Sequence, residues 1–242
     1  MPTNLFLRTL LIVFLILFTV SSIQTLSGQD TITVKKCIDF KVSGDGNSPE
    51  WNNTGWTMIA NRTINPVKYS TRIKVLYSEK GMYFLFDCED SKITATIMAD
   101  NQDLWNEDVV EVFLWPDDSL PIYFEYEISP LNFELPIIIP NIQGKHFGWL
   151  PWHYEGDRRI IHETSVTGGK KESGASISGW KAEFFIPFKL MDPMSNVPPV
   201  PGTIWKGNFF RMDYDSSRNS YSWKKTNKTF HDLDNFGKLI FE

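Results

Sequence analysis

The chain has 242 residues, with 24 Lys plus Arg against 29 Asp plus Glu and a formal net charge of −5. A mildly acidic chain without a basic stripe has little to neutralise a run of phosphates, which argues against nucleic acid as a partner. Its 9 Trp, 8 Tyr and 18 Phe supply both core and flat stacking surfaces, so attention turns to ligands with apolar faces.

Residues 1–27 read as a signal peptide. Arg8 gives a positive start, and residues 10–20 form an apolar run shorter than the roughly 20 residues of a membrane span. Ser21, Ser22, Thr25, Ser27 and Gly28 offer small residues for cleavage; an uncleaved N-terminal anchor is the alternative. No second apolar run of spanning length follows, so the expected product is exported: periplasmic, at the cell surface or secreted. Residues 28–242 suit one large β domain.

From there the chain reads as strands and loops. Residues 31–42, 71–78 and 82–88 are rich in β-branched and aromatic side chains, with Ser78-Glu79-Lys80-Gly81 as a hairpin connection. Residues 109–115 and 122–129 form a second hairpin, and later strands fall at 159–164, 175–187, 204–214 and 238–241. Residues 136–154, with Gly144, Trp149 and Trp152, read as a long aromatic loop of the functional or mobile kind. The one helical turn is Phe188-Lys189-Leu190-Met191. Many strands, frequent Gly and Pro and no helical periodicity argue an all-β fold: a two-sheet antiparallel β-sandwich of the jelly-roll or Greek-key type.

The only cysteines, Cys37 and Cys88, lie in predicted strands. They pair if neighbouring strands bring them together and otherwise remain buried thiols.

Trp105-Asn106-Glu107-Asp108-Val109-Val110-Glu111-Val112-Phe113-Leu114 puts an indole in a loop and a carboxylate six residues later in a strand. A sugar ring is held by an aromatic plate beneath and by charged or amide groups at its hydroxyl rim, which is the functional reading of that pair. The bland reading is a core Trp and a solvated Glu. Alternation puts Val109, Glu111 and Phe113 on one strand face, and Tyr123, Glu125 and Glu127 on one face of the partner. Should these faces coincide, aromatics and carboxylates line one concave surface; otherwise it is the wet side of the sandwich.

Four segments in order carry a family likeness: Trp105 to Leu114 with Asp103-Leu104 before it; Gly179-Trp180-Lys181-Ala182-Glu183-Phe184-Phe185-Ile186-Pro187; Pro201-Gly202-Thr203-Ile204-Trp205-Lys206-Gly207-Asn208-Phe209-Phe210-Arg211-Met212-Asp213; and Asp234-Asn235-Phe236-Gly237-Lys238-Leu239-Ile240-Phe241. Together they resemble the family 9 carbohydrate-binding modules, first known as appendages of xylanases, over residues 39–242. The resemblance implies non-catalytic binding of plant-type polysaccharide or oligosaccharide ends, xylan among them, in polysaccharide degradation. Separate glycosidases are the implied partners.

In that family a sugar end sits between two aromatic plates. Trp105 matches the first plate and Glu111 the acidic hydroxyl partner; the second plate falls on Phe230, or on Trp223 earlier in the same loop. Asn227 matches a sugar-contacting amide and Arg211 a polar strand position. One departure stands out, because a basic cleft residue of the family falls here on Glu125 or Glu127. Related modules also hold structural calcium. The carboxylates of Asp87, Glu89 and Asp90, with Asp213 and Asp215, are the candidates here, without a full calcium-loop spacing.

Three rivals remain. A glycoside hydrolase, endoxylanase-like, would use Glu107, Asp108 and Glu111 as its acidic cluster, although Asp108 falls on the wrong strand face for it. A haem-binding sandwich would need axial ligands from His146, His153, His162 or His231, each of which reads as a surface residue. A protein-binding module would use the Trp149 and Trp152 loop as its patch.

Overall fold

The computed structural model describes residues 30–64, 69–143, 145–146, 148–152, 155–215 and 217–242. The expected signal peptide at residues 1–27 lies outside them, as do Gly144 and His153. Among the described residues no helix is long and apolar enough to cross a membrane.

In chain order the strands are β1 (Thr31–Lys36), β2 (Thr57–Met58), β3 (Ala60–Asn61), β4 (Thr71–Tyr77), β5 (Gly81–Glu89), β6 (Val109–Trp115), β7 (Ile122–Ile128) and β8 (Glu134–Ile142). They continue as β9 (Lys145–His146), β10 (Leu150–Pro151), β11 (Ile161–Thr167), β12 (Gly179–Pro187), β13 (Ile204–Asp213), β14 (Asn219–Ser222) and β15 (Gly237–Phe241). The expected helical turn is present as α1 (Phe188–Met191).

One sheet runs β10-β8-β7-β6-β13-β15-β1 and the other β1-β4-β5-β12-β11. Strand β1 belongs to both: residues 31–34 pair with β15, and Lys35 and Lys36 turn to pair with β4. This crossover ties the sheets at one corner of a β-sandwich, as expected. Between them lies the main core, with Phe84, Phe86, Tyr126, Phe184, Trp205 and Phe209 at its centre. A second apolar cluster covers the outer face of the first sheet, where Val109, Phe113, Tyr123, Leu135, Ile137 and Phe210 are sealed by Leu104, Leu233 and Phe236.

The expectation of a loop from residue 136 needs correction, because residues 136–142 continue strand β8. Pro136 and Pro140 argued against a strand, since proline removes a ladder donor. Both pair with β7, opposite Tyr126 and Ile122, while the outer side of β8 carries only the two-residue strands β9 and β10. Near a sheet edge the missing N–H groups cost little.

The cysteines are free. Cys37 sits beside Tyr77 at one end of β4 and Cys88 faces Thr71 at the other, six residues or about 20 Å away at the rise of a strand. No disulfide spans that distance.

Candidate functional site

Register decides which side chains meet. Glu111 pairs with Glu127 across β6 and β7, and Phe113 pairs with Glu125. Directly opposed residues share a face, so Glu111, Glu125 and Glu127 point together to the outer side of the first sheet. This face is not the wet side of the sandwich: all three carboxylates are buried.

They line a cleft of about 740 Å³ together with Trp105, Phe230 and Trp149. Trp105 lies in the one-turn segment Leu104–Asn106, anchored by Leu104 in the outer apolar cluster and by the Tyr214 hydroxyl, which donates to the Trp105 carbonyl at 2.8 Å. Its ring stays half-buried and meets Trp149 edge-on, with centroids 6.0 Å apart. Phe230 stacks on Phe210 of β13 at 4.1 Å and 12° between planes, so its orientation is fixed from below.

Other expected site residues lie elsewhere. Arg211 is opposite Val110, hence on the inter-sheet face, where its guanidinium donates to Asp90 at 2.8 Å, the Glu89 carbonyl at 2.8 Å and Thr71 Oγ1 at 3.0 Å. It cannot reach the cleft, because strand alternation turns it to the side away from Glu111. Trp223 is also corrected. It is buried in the main core against Phe209, and a Cβ on Gly237 would come within 2.3 Å of its ring, so the first residue of β15 is the floor that Trp223 rests on. Asn227 is exposed and does not line the cleft; its successors Lys228 and Thr229 do. The calcium candidates divide as well. Asp87 pairs with Arg72, whereas Asp90, Asp213 and Asp215 converge, with Arg211 between the first two.

Glu107 and Asp108 are engaged by backbone. Glu107 accepts from the Ile97 N–H at 2.9 Å and from Thr96, while Asp108 accepts from the Thr94 and Tyr214 N–H groups at 2.6 and 2.9 Å. These carboxylates pin residues 94–97 and 214 to the start of β6, and neither lines the cleft.

The sequence reading missed His231, Arg218 and Lys228 as cleft residues. His231 is half-buried rather than superficial: it contacts the Tyr123 hydroxyl, stacks near Phe113 and lies 3.8 Å from Glu125. Burial pushes its pKa down to about 4, and neighbouring His146 adds to this, so it is neutral around pH 7. His162 is likewise held, between Asn132 and Glu134. Burial raises all three Glu carboxyls, Glu125 to about 8, and their mutual repulsion pushes Glu111 and Glu127 further.

Residues 42–137 match the model of a family described as carbohydrate family 9 binding domain-like, a stretch that holds the Trp105 to Leu114 segment. No curated protein matches the chain. Among solved structures, a Bacteroides uniformis protein provisionally described as carbohydrate-binding superposes with a TM-score of 0.71 at 17% identity, covering 88% of this chain and 99% of that one. A family 9 carbohydrate-binding module from Caldicellulosiruptor kristjanssonii superposes at 0.62 and 17% identity in its complexes with cellotriose and with glucose, over 88% of this chain and 93% and 95% of those chains. Such identity establishes a shared fold. The family match and that fold together bear out the resemblance to the family 9 carbohydrate-binding modules.

Proposed function

We propose that the chain binds carbohydrate in the cleft at Trp105 and does not cleave it. The observation that carries this is the partly exposed Trp105 ring in one cleft with the Phe230 plate and a carboxylate floor. The rings offer apolar faces for sugar C–H groups, and Glu111 and Glu125 on the floor, with Arg218 and Lys228 on the walls, offer partners for hydroxyls. The family match supports the reading, as do the cellotriose and glucose complexes of the Caldicellulosiruptor module. Because water competes for every hydroxyl, affinity falls in the range of about 1 μM to 1 mM. Ends of plant-type oligosaccharides are the proposed ligands. The exported protein would then work beside separate glycosidases.

A glycosidase reading draws on the same carboxylates, but they share one floor on neighbouring strands instead of facing each other across the cleft. Oxygens of Glu111, Glu125 and Glu127 all lie within 4.8 Å of one another on one floor. Hydrolysis needs two carboxyls flanking the bond, about 5–5.5 Å apart for retention and about 6.5–9.5 Å for inversion.

Calorimetric titration with cello- and xylo-oligosaccharides tests the proposal. Trp105→Ala should weaken binding at least tenfold with the circular dichroism spectrum unchanged; equal binding by a folded variant would remove the stacking site. Reducing-sugar release by wild type that disappears in Glu111→Gln would favour the enzyme.

A further inference from the structure

Two groups of carboxylates converge among the described residues, and only one has a guanidinium or ammonium in direct contact. At Asp90, Asp213 and Asp215 the Arg211 guanidinium lies 2.8 Å from Asp90 and 3.8 Å from Asp213, Trp180 Nε1 donates to Asp90, and Ser91 and Tyr69 donate to Asp215. In that group only Asp215 Oδ1 is buried without a donor. At the cleft floor no described Lys or Arg comes within ion-pair distance of Glu111, Glu125 or Glu127; Arg218 on the cleft wall acts on Glu111 only from further away, and the nearest histidine is His231 at 3.8 Å.

The cleft-floor side chains are 2%, 3% and 0% exposed, yet Glu111 Oε1, Glu125 Oε2 and both oxygens of Glu127 receive no hydrogen bond. The Trp105 amide approaches Glu127 without reaching hydrogen-bonding geometry. A buried acceptor has lost its water, and a cluster of them without donors is held against both desolvation and mutual repulsion. A proton shared between Glu125 and Glu127 relieves part of this, and a cation from outside would relieve the rest.

We infer that Glu111, Glu125 and Glu127 bind a divalent, oxygen-preferring cation of the calcium class at the floor of the cleft. Calcium lies about 2.3–2.6 Å from its oxygens, which separates ligands on opposite sides by roughly 4.6–5.2 Å. The three carboxylates fit within that span, with ligand oxygens no more than 4.8 Å apart. An all-carboxylate set selects a hard ion over zinc or copper. The three strands fix the donors from one side, so the ion's remaining positions face the cleft, where water or a ligand hydroxyl completes the shell. This site stands whether or not the cleft takes sugar.

The test uses the full chain, stripped with chelator and titrated with CaCl₂ by calorimetry and with Tb³⁺ by tryptophan-sensitised luminescence, since Trp105 lines the same cleft. Wild type should bind an ion that Glu111→Gln and Glu127→Gln each weaken at least tenfold, while Asp215→Asn, at the other carboxylate group, keeps it. Glu127→Asp, which retains the charge on a shorter arm, gives a second reading should a Gln variant fail to fold, and it too should bind more weakly. No binding by wild type, or undiminished binding by the folded Glu variants, would overturn the site.

Discussion

The two faces of the first sheet bury negative charge in opposite ways. On the inter-sheet side Asp90 and Asp213 close around Arg211, and the guanidinium makes three further hydrogen-bonding and ring contacts, with the Glu89 carbonyl, Thr71 and the Tyr221 face. On the cleft side Glu111, Glu125 and Glu127 converge with no Lys or Arg in contact, Arg218 acting on Glu111 only from the cleft wall. One cluster carries its cation within the chain, with Arg211 Nε and Asp215 Oδ1 alone left unmatched; the other has no cation in contact. Buried charge matched within the chain reads as structure, whereas buried charge left unmatched marks the place where something from outside is bound.

The largest effect expected of that contrast is at Arg211. Arg211→Met removes the cation but leaves Asp90 in the interior, which should cost about 3–5 kcal/mol of unfolding free energy in urea titrations. Adding Asp90→Asn should recover much of the loss, because the orphaned charge goes with it. Were Arg211→Met neutral, the inter-sheet cluster would not be held by its ion pair, and the comparison would break on its structural side.

The two tryptophans first considered as sugar plates sharpen the same division. Trp223 lies over Gly237 against Phe209 in the main core, so Trp223→Ala should cost about 3–5 kcal/mol. Trp105 is partly exposed at the cleft and should cost about half as much or less. Parallel urea melts of the two variants rank them. A larger loss at Trp105 would mean that its ring props the fold rather than waits for a ligand.

Much of this division was legible from period and composition. The run from Val109 to Trp115 is the predicted strand residue for residue, and alternation alone put Glu111, Glu125 and Glu127 on one side once their strands paired as a hairpin. The same alternation would have separated Arg211 from Glu111, but only given that β13 sets Phe210 opposite Glu111, a register between strands about a hundred residues apart. Trp223 was indistinguishable from a surface aromatic because the space it fills is the missing side chain of Gly237, which no local pattern reveals. His231 follows an exposed turn and is covered by Tyr123, Phe113 and His146, contributions of other strands. What escaped was long-range packing; what was read was local period.

On the cleft side the expected change is smaller. In chelator, Glu127→Gln removes one of three repelling buried carboxyls and keeps the shape, so it should lower stability by no more than about 1 kcal/mol, or raise it. Wild type should gain melting temperature on addition of CaCl₂, and the variant should gain less. A loss in chelator as large as that at Arg211 would mean that the Glu cluster is satisfied within the chain after all.

The smallest effect is chemical rather than energetic, and it reports how dry the inter-sheet face is. Cys88 is buried near the Arg211 cluster and Cys37 is partly exposed, its thiol 3.3 Å from the Tyr77 carbonyl. Burial pushes both thiols up to about 12, against about 8.5 for a free cysteine, so at pH 8 the reactive thiolate is scarcer by about three orders of magnitude. Cys37 should therefore alkylate slowly in the native state, roughly tenfold faster for each unit of added pH. Cys88 should react only as the chain unfolds, because no reagent reaches it, and its rate should follow the opening of the main core. Mass spectrometry of iodoacetamide-treated protein separates the two. Native-state labelling of Cys88 at a rate near that of Cys37 would show water reaching the inter-sheet carboxylates, and with it the protected character assigned to the Arg211 side would be lost.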